Sequence, residues 1–221
     1  MRPHLNLRAH GATMALGALC FAISLSVLPG TAQSSDTNGA HAAVAADITP
    51  GKSRLNVLAG RRAAVNGHLR SGSAGRPALL QRQSAHGWTT IDRAVTRAGG
   101  TFGFAFRPQR PGSAHLRVLV DSASRQIGRL NVYRRAAVSW YGPGLYGNRL
   151  SCGGRLTPGT LGVAHKTLPC GSHVTLRKGD RVIRVRVVDR GPYVGGREFD
   201  LTSATRSRLH FGGVGSLLVA G

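Results

Sequence analysis

The chain has 221 residues, 41% of them hydrophobic, and a formal net charge of +22 from 30 Lys+Arg against 8 Asp+Glu. The hydrophobic content excludes a wholly disordered polyelectrolyte, and the presence of only three lysines, Lys52, Lys166 and Lys178, excludes a lysine-rich tail of the histone type. The charge is spread over residues 47–133 (+11) and 134–221 (+10), so it indicates either affinity for polyanions in general or a compositional bias that serves solubility.

The first 32 residues predict an export signal. Arg2 and Arg8 precede an apolar run over residues 12–28, and small residues suited to cleavage follow it. The run is shorter than the roughly 20 residues of a membrane helix, so we predict a signal peptide at residues 1–32, with an uncleaved signal anchor as the alternative. Residues 33–46 are small and polar without periodicity, which is typical of a flexible leader. We therefore expect a secreted or cell-wall-associated protein with no membrane span after signal cleavage.

Residues 47–133 alternate apolar and polar positions in short runs. Segments containing glycine or proline separate the runs every eight to twelve residues. Alternation of this kind predicts an antiparallel β-sandwich, and a length of about 80 residues is similar to that of a small immunoglobulin-like module. The runs are Val65, Gly67 and Leu69, then Phe102, Phe104 and Phe106, and then Ala114, Leu116, Val118 and Val120.

The pattern changes at residues 133–136, where the sequence becomes richer in glycine and aromatic residues, and we place a domain boundary there. The clearest strand of the chain follows at residues 181–189, in which apolar residues alternate with arginines. A tight turn joins this strand to an earlier one at residues 173–176. Thr202 is predicted to cap a short helix over residues 203–211. The second domain is therefore predicted to be mainly β with one or two helical turns.

The cysteines predict one disulfide. Cys20 falls within the predicted signal, which leaves Cys152 and Cys170 as a pair in an exported chain. Export exposes this pair to an oxidising environment, and closing the loop between them is worth about 3 kcal/mol. His165 and His173 are eight residues apart and match no zinc pattern, so we expect no metal and no cofactor.

Asp189 is the carboxylate best placed for chemistry, because it ends the apolar strand and precedes a Gly-Pro turn. A carboxyl group at a strand tip, partly desolvated by the strand, is suited to donating a proton. Arg190 and His165, if close, would instead favour the ionised carboxylate, and the sequence does not decide between the two effects. Taken alone, Asp189 better fits a carboxylate that caps the turn and pairs with an arginine. His165 fits a packed histidine and a groove residue equally well.

Four sequence blocks follow one another in the second domain. They are VSWYGPG at Val138 to Gly144, AHKTLPCG at Ala164 to Gly171, VVDRGPYVGGR at Val187 to Arg197, and FDLT at Phe199 to Thr202. In this order and spacing they resemble the rare lipoprotein A (RlpA) family of double-psi β-barrel domains. The resemblance covers residues 137–221 and none of residues 31–133. It implies a six-stranded barrel with a surface groove and a role on bacterial peptidoglycan.

Some members of this family are lytic transglycosylases, lyases that cut naked glycan strands and leave 1,6-anhydro ends. By motif, the resemblance implies Asp189 as the catalytic acid and His165 as a groove residue that orients or polarises the substrate. We expect Trp140 in the barrel core, although both Trp140 and Tyr141 fit either barrel packing or a sugar platform. The predicted substrate-binding residues are Tyr141, Lys166, Arg190, Tyr193 and Asp200.

The sequence departs from the family at one place. Active members carry a Glu before the AHKTLP block, where this chain has Gly154. Two functions follow: a transglycosylase-like enzyme that uses Asp189, or a non-catalytic, expansin-like module whose arginine-rich surface holds anionic wall polymer while the groove holds glycan. The expected partners are peptidoglycan glycan strands and anionic wall polymers, bound by a monomer. Nucleic acid is not expected, because the chain has an export signal and no motif that reads bases.

Overall fold

A computed structural model describes residues 47–221, so the predicted signal peptide and leader lie outside the described residues. No helix within this range reaches the length and hydropathy that a membrane crossing requires. In chain order, its elements are β1 (Ile48–Pro50), β2 (Asn56–Leu58), β3 (Ala63–Leu69), β4 (Pro77–Ser84), β5 (Gly87–Val95), a 3₁₀ turn (Ala98–Gly100), β6 (Thr101–Phe106), β7 (Gly112–Val120), β8 (Ala123–Tyr141), β9 (Gly162–His165), β10 (His173–Lys178), β11 (Arg181–Asp189), β12 (Phe199–Thr202), α1 (Ser203–Leu209) and β13 (Gly215–Ala220).

Two β-sheets enclose the first hydrophobic core. In one sheet β3 lies between β1 and β6, and in the other β5, β4, β7 and β8 follow one another, with β2 parallel to β8. Side chains of both sheets meet in a single buried cluster, which confirms the predicted pair of packed β-sheets. The likeness to an immunoglobulin module stays a prediction. The cluster includes Val65, Leu80, Phe102, Phe104, Leu116, Val118 and Leu130.

The alternation read from the sequence fixes which side chains enter this core. On β3, Val65 and Leu69 are buried while Asn66 is exposed, and the same alternation holds on β6. Gly67 takes a core-facing position between them. A Cβ atom at Gly67 would overlap the Phe102 ring, so glycine at this position lets β6 pack closely against β3.

The strand β8 runs without interruption through the position where the sequence predicted a boundary. Its first half pairs with β7 and β2, and its second half pairs with β13 and β12. The first hydrophobic cluster ends at Val132 and the second begins at Ala136. The side chains therefore change core within one extended segment, with no linker between. Ser113 Oγ on β7 lies 3.3 Å from Thr175 Oγ1 on β10, a polar contact between the two parts.

Six strands close into a β-barrel. The ring runs β8, β12, β9, β11, β10, β13 and back to β8, with parallel pairing only at β8–β12 and β9–β11 among these strands. Closure gives each of the six strands a paired neighbour on both sides, so none of them is an edge strand. The predicted six-stranded barrel is therefore confirmed. Its interior contains Val138, Val163, Val174, Val185, Val187, Phe199, Leu201 and Val219.

The barrel confirms the predicted strand β11 and corrects the predicted helix. On β11 the arginines are exposed and Val185 and Val187 are buried, as the alternation indicated. Thr202 caps α1 by accepting a hydrogen bond from the Thr205 amide. The helix ends at Leu209 rather than Phe211, because His210 adopts a left-handed backbone (φ 47°) and its N–H bonds back to the last turn.

Candidate functional site

A row of paired positions crosses four neighbouring strands of the barrel. Asp189 on β11 pairs with Ala164 on β9, Ala164 pairs with Asp200 on β12, and Asp200 pairs with Ser139 on β8. A bulge between Val187 and Asp189 shifts β11 by one residue and creates this alignment. Directly paired residues share a sheet face, so the two carboxylates lie on one face with a single strand between them, roughly 10 Å apart at Cα.

Asp189 is half-buried, and one of its oxygens is fixed by the backbone. Oδ1 accepts hydrogen bonds from the amides of Ser151 and Arg190, both at 2.9 Å. Within residues 47–221, Oδ2 makes no hydrogen bond. Asp189 therefore does cap the turn, because it accepts a hydrogen bond from the amide of the next residue. A second loop, at Ser151, also converges on it, and one carboxylate oxygen stays available for chemistry.

Tyr141 and Asp200 complete this face. Ser139 Oγ donates a hydrogen bond to Asp200 Oδ1. The Tyr141 hydroxyl is buried and makes no hydrogen bond within the described residues. Burial raises the pKa of Tyr141, and the charges of Asp189 and Asp200 raise this pKa further. Tyr141 therefore stays a neutral phenol under the influence of both negative charges, able to donate one hydrogen bond.

His165 lies on the opposite face of β9 from the two aspartates. It follows Ala164, and consecutive strand residues point to opposite faces, so its ring packs on Phe199 with the ring centroids 4.6 Å apart. Its Nδ1 accepts the amides of Thr167 (3.1 Å) and Leu168 (2.9 Å). The packed-histidine interpretation describes these contacts well. The structure does not bring His165 into the Asp189–Asp200 row.

Glu198, which the sequence did not single out, is the partner of His165. The Glu198 carboxylate forms a two-pronged ion pair with Arg134, and its Oε1 lies 3.8 Å from His165 Nε2. The Arg134 hydrogen bonds and charge lower the pKa of Glu198, so it is ionised at neutral pH. A signal for this group did exist in the sequence, because Glu198 is the only Glu and stands beside the FDLT block.

Burial lowers the pKa of His165, and Glu198 partly offsets this effect by favouring the imidazolium. His165 is therefore neutral at pH 7. Because its folded-state pKa lies below the unfolded value of about 6.5, the stability it contributes is present above that pH and is lost as the pH falls below it. Two amides donate to Nδ1, so the proton of the neutral ring belongs on Nε2, which faces Glu198.

We expect imidazole nitrogen NMR at neutral pH to show His165 as the Nε2–H tautomer. Glu198→Gln should lower the pKa of His165 further, because the carboxylate is lost and Arg134 is left uncompensated. Asp180→Asn, an exposed change in the β10–β11 turn, is the matched control and should leave the His165 titration unchanged. A Nδ1–H tautomer, or a His165 pKa that rises in Glu198→Gln, would contradict this arrangement.

The disulfide joins the loops on either side of Asp189. Cys152 and Cys170 are bonded, which confirms the predicted pair. The Cys152 amide donates to the Val188 carbonyl at 3.2 Å, which holds this loop beside the end of β11. The Arg190 guanidinium donates to the carbonyls of His165 (3.2 Å) and Leu168 (2.8 Å) and to Cys170 Sγ (3.1 Å). Arg190, predicted to bind substrate, is thus engaged in holding the loop after β9.

The remaining predicted residues surround this region. Lys166, directly after β9, is exposed, and its ammonium makes no hydrogen bond within residues 47–221. Tyr193 is 82% exposed in the loop between β11 and β12. Trp140 is partly buried against the barrel core, and the Arg206 guanidinium lies 4.2 Å above its ring. In the described part of the chain, no three His, Cys, Asp or Glu side chains gather as a metal site would require.

Gly154, which the sequence resemblance aligns with a Glu of active family members, is exposed and has a left-handed backbone (φ +77°). A Cβ atom added there would contact nothing within 4 Å. A residue with a side chain would be strained at this position because of the left-handed backbone conformation, and not because of steric overlap with neighbouring atoms. The loop therefore adopts a conformation that suits glycine, and it contributes to Asp189 through the Ser151 amide.

Comparisons with known proteins point to one family. A family model described as "Lytic transglycolase" matches residues 135–220. The "Probable endolytic peptidoglycan transglycosylase RlpA" of Synechocystis sp. is 40% identical over 109 residues, which cover 43% of this chain and 34% of that protein. The "Endolytic peptidoglycan transglycosylase RlpA" of Campylobacter jejuni is 42% identical over 73 residues, 32% of this chain and 26% of that protein. This chain therefore spans about a third or less of the length of these relatives.

One solved structure, "Biofilm associated protein - BSP domain", superposes with a TM-score of 0.28 and 14% identity over 65% of this chain and 30% of its own, a similarity too low to support any argument. The closed six-stranded ring has the architecture of a double-psi β-barrel, and the part of the chain that forms it matches the family described as "Lytic transglycolase". Residues 135–220 are RlpA-like.

Proposed function

We propose that this protein acts on peptidoglycan glycan strands as a lytic transglycosylase, with Asp189 as the acid. The half-bound carboxylate of Asp189 carries the proposal. Two backbone amides hold its Oδ1 at 2.9 Å, and its Oδ2 makes no hydrogen bond within residues 47–221. A carboxyl group fixed on one side and available on the other suits directional proton transfer. The names of the RlpA relatives support the substrate class and the reaction.

In the proposed reaction, protonated Asp189 donates its proton to the glycosidic oxygen as the bond to the anomeric carbon breaks. The 6-hydroxyl of the same sugar attacks that carbon, and the Asp189 carboxylate takes the hydroxyl proton. The products are a shortened strand with a 1,6-anhydro end and a strand with a free 4-hydroxyl. No water is consumed, and Asp189 regains its proton. One carboxyl group therefore suffices, in contrast to ordinary glycoside hydrolysis, which uses two.

Neighbouring groups have positioning roles in this proposal. The Tyr141 hydroxyl makes no hydrogen bond within the described residues and stays neutral because of its raised pKa, so in this proposal it is available to donate one to the Asp189 carboxyl group when substrate binds. Asp200, about two strand spacings away, provides a negative charge that stabilises the positive anomeric carbon of the transition state. The exposed Tyr193 ring provides an apolar surface on which a sugar can stack. His165 and Glu198 act on the other face, where they fix the end of β9.

A second candidate function is non-catalytic binding of glycan. The observation that favours it is Gly154, whose exposed glycine conformation leaves no acidic side chain at the place where active relatives carry a Glu. In this case the barrel face that carries Asp189 and Asp200 holds a glycan strand, and Asp189 accepts hydrogen bonds from sugar hydroxyls.

The experiment that separates these functions is digestion of purified, peptide-free glycan strands by the mature protein, followed by mass spectrometry of the fragments. Fragments with 1,6-anhydro ends, lighter by one water than reducing-end fragments, support the transglycosylase. Retention of intact glycan without fragments supports the binding module. Fragments with ordinary reducing ends would refute the transglycosylase, because they require water as the nucleophile.

A further inference from the structure

A basic trough crosses the outward face of the three-stranded sheet of β1, β3 and β6. We use this name for a cavity of about 690 Å³ whose cationic lining residues are Lys52, Arg54, Arg62 and Arg97. Among the residues that the structure describes, no acidic side chain lines it. It belongs to the N-terminal sheets, whereas the groups proposed for glycan cleavage are on the barrel. The trough therefore lies outside the site described above.

Small side chains form the floor of the basic trough. On β3 and β6, the outward positions Ala64 and Ala105 pair with each other, and so do Asn66 and Gly103. A Cβ atom at Gly103 would lie 3.0 Å from the Asn66 side-chain oxygen, so glycine at this position keeps the floor low. An outward sheet face with alanine and glycine in adjacent pairs leaves a depression instead of a flat surface.

Backbone hydrogen bonds fix one wall of the trough. The Arg54 amide donates to the Ala64 carbonyl at 2.7 Å, and the Asn66 side-chain amide donates to the Lys52 carbonyl at 2.9 Å. These bonds hold residues 51–54 along the edge of β3. Near the start of β6, the Arg97 amide donates to the Thr101 carbonyl at 2.8 Å and fixes the backbone of that cation. The cations thus extend from a preformed backbone frame.

The charges of the trough have no partner within residues 47–221. The side-chain nitrogens of Lys52, Arg54, Arg62 and Arg97 make neither a hydrogen bond nor an ion pair in this part of the chain, whereas Arg76 and Arg134 do pair with acids. Four like charges around one cavity repel each other, and an anion placed among them relieves that repulsion. Guanidinium groups also match the geometry of phosphate and carboxylate oxygens.

We propose that the basic trough binds a linear polymer of repeating oxyanions, either phosphodiester or carboxylate. The cavity is in the size range of pockets that hold a drug-sized ligand, so it accommodates several charged units and exceeds what one small anion needs. A nucleic acid is disfavoured, because the aromatic residue of the lining, Phe104, is 2% exposed and offers no surface for base stacking. This inference does not depend on glycan cleavage by the barrel.

The test measures binding of the full mature chain to three fluorescent probes by anisotropy. The probes are a glycerol-phosphate oligomer, a polyglucuronate oligomer and an oligodeoxythymidylate of equal charge. The trough variant is Arg54→Gln/Arg62→Gln/Arg97→Gln. The matched control, Arg82→Gln/Arg93→Gln/Arg125→Gln, removes the same charge from exposed positions on the second sheet.

We expect the trough variant to bind the phosphate or the glucuronate oligomer about tenfold or more weakly than wild type, and the control to lose far less. Binding of one oligomer and not the other identifies the anion and supports the proposal. Equal losses in both variants would overturn it, since the net charge alone would then explain binding. Tightest binding of the oligodeoxythymidylate would also overturn it, and so would failure of both the glycerol-phosphate and the polyglucuronate oligomers to bind.

Circular dichroism should show wild-type folding for both variants, because the backbone bonds that hold Arg54 and Arg97 do not use their side chains. Glycan cleavage by the trough variant provides a separate measurement. If the variant loses oligomer binding but still releases anhydro-ended fragments, the trough and the barrel act independently. If wild type binds the oligomer but cleaves no glycan, only the proposed enzymatic function fails.

Discussion

Replacing Asp189 with Asn should reduce the release of anhydro-ended glycan fragments by about 100-fold or more, the usual contribution of a positioned general acid. The asparagine has no proton of sufficient acidity to give to the glycosidic oxygen, and it cannot accept the proton of the 6-hydroxyl afterwards. Mass spectrometry of glycan strands, sampled at early times so that initial rates are compared, provides the measurement. Fragment release at the wild-type rate would remove Asp189 from the mechanism.

The substitution Asp189→Asn removes the acid and should keep the fold intact. In Asp189→Asn, the new side chain would retain a carbonyl oxygen, which accepts the amides of Ser151 and Arg190 as the carboxylate does. The matched control is Asp180→Asn, the same chemical change at a fully exposed residue of the β10–β11 turn, which should leave the rate unchanged. Binding of intact glycan should persist in the Asp189 variant. Loss of binding together with the rate would instead assign Asp189 to substrate binding.

The strand β11 was predictable, because a local pattern determines it. Alternation of valine and arginine over β11 identifies both the strand and its buried face from a few consecutive residues. The nature of the boundary at residues 133–136 was harder to predict from the sequence. The sequence changes composition there because the side chains pass from one core to the other, while the backbone continues as β8. A change in composition therefore marks the change of core and does not mark a loop.

The sequence supplies candidate residues for the site but does not determine their geometry. The blocks contain Asp189, Asp200 and His165, yet only the registers of β9 with β11 and β12 place the aspartates on one face and the histidine on the other. A single-residue bulge on β11 determines that alignment, and no local sequence pattern predicts the bulge. The pairing of Glu198 with Arg134 spans 64 residues, so it too depends on the closed barrel.

Removing the disulfide should have the largest effect on stability. We expect Cys152→Ser/Cys170→Ser to lose about 3 kcal/mol, the chain-entropy value for a loop of this length, since the bond joins residues 18 apart. The thermal midpoint should fall by roughly 10 °C as measured by circular dichroism. Reducing the wild-type protein should reproduce the shift, and the same reductant should not change the double variant. A midpoint equal to that of oxidised wild type would contradict the prediction.

The same variant tests whether the disulfide also serves the candidate site. The disulfide holds the loop whose Ser151 amide donates to Asp189 Oδ1. The second donor to Oδ1 is the Arg190 amide, and the Arg190 guanidinium donates to Cys170 Sγ of the same disulfide. Loosening this loop should therefore lower the cleavage rate even at temperatures well below the midpoint of thermal unfolding, at which the variant is still folded. A variant that is less stable but cleaves glycan at the wild-type rate at low temperature would show that the barrel alone positions Asp189. A rate that falls while glycan binding persists would show that a bond formed outside the barrel strands determines how the acid is oriented.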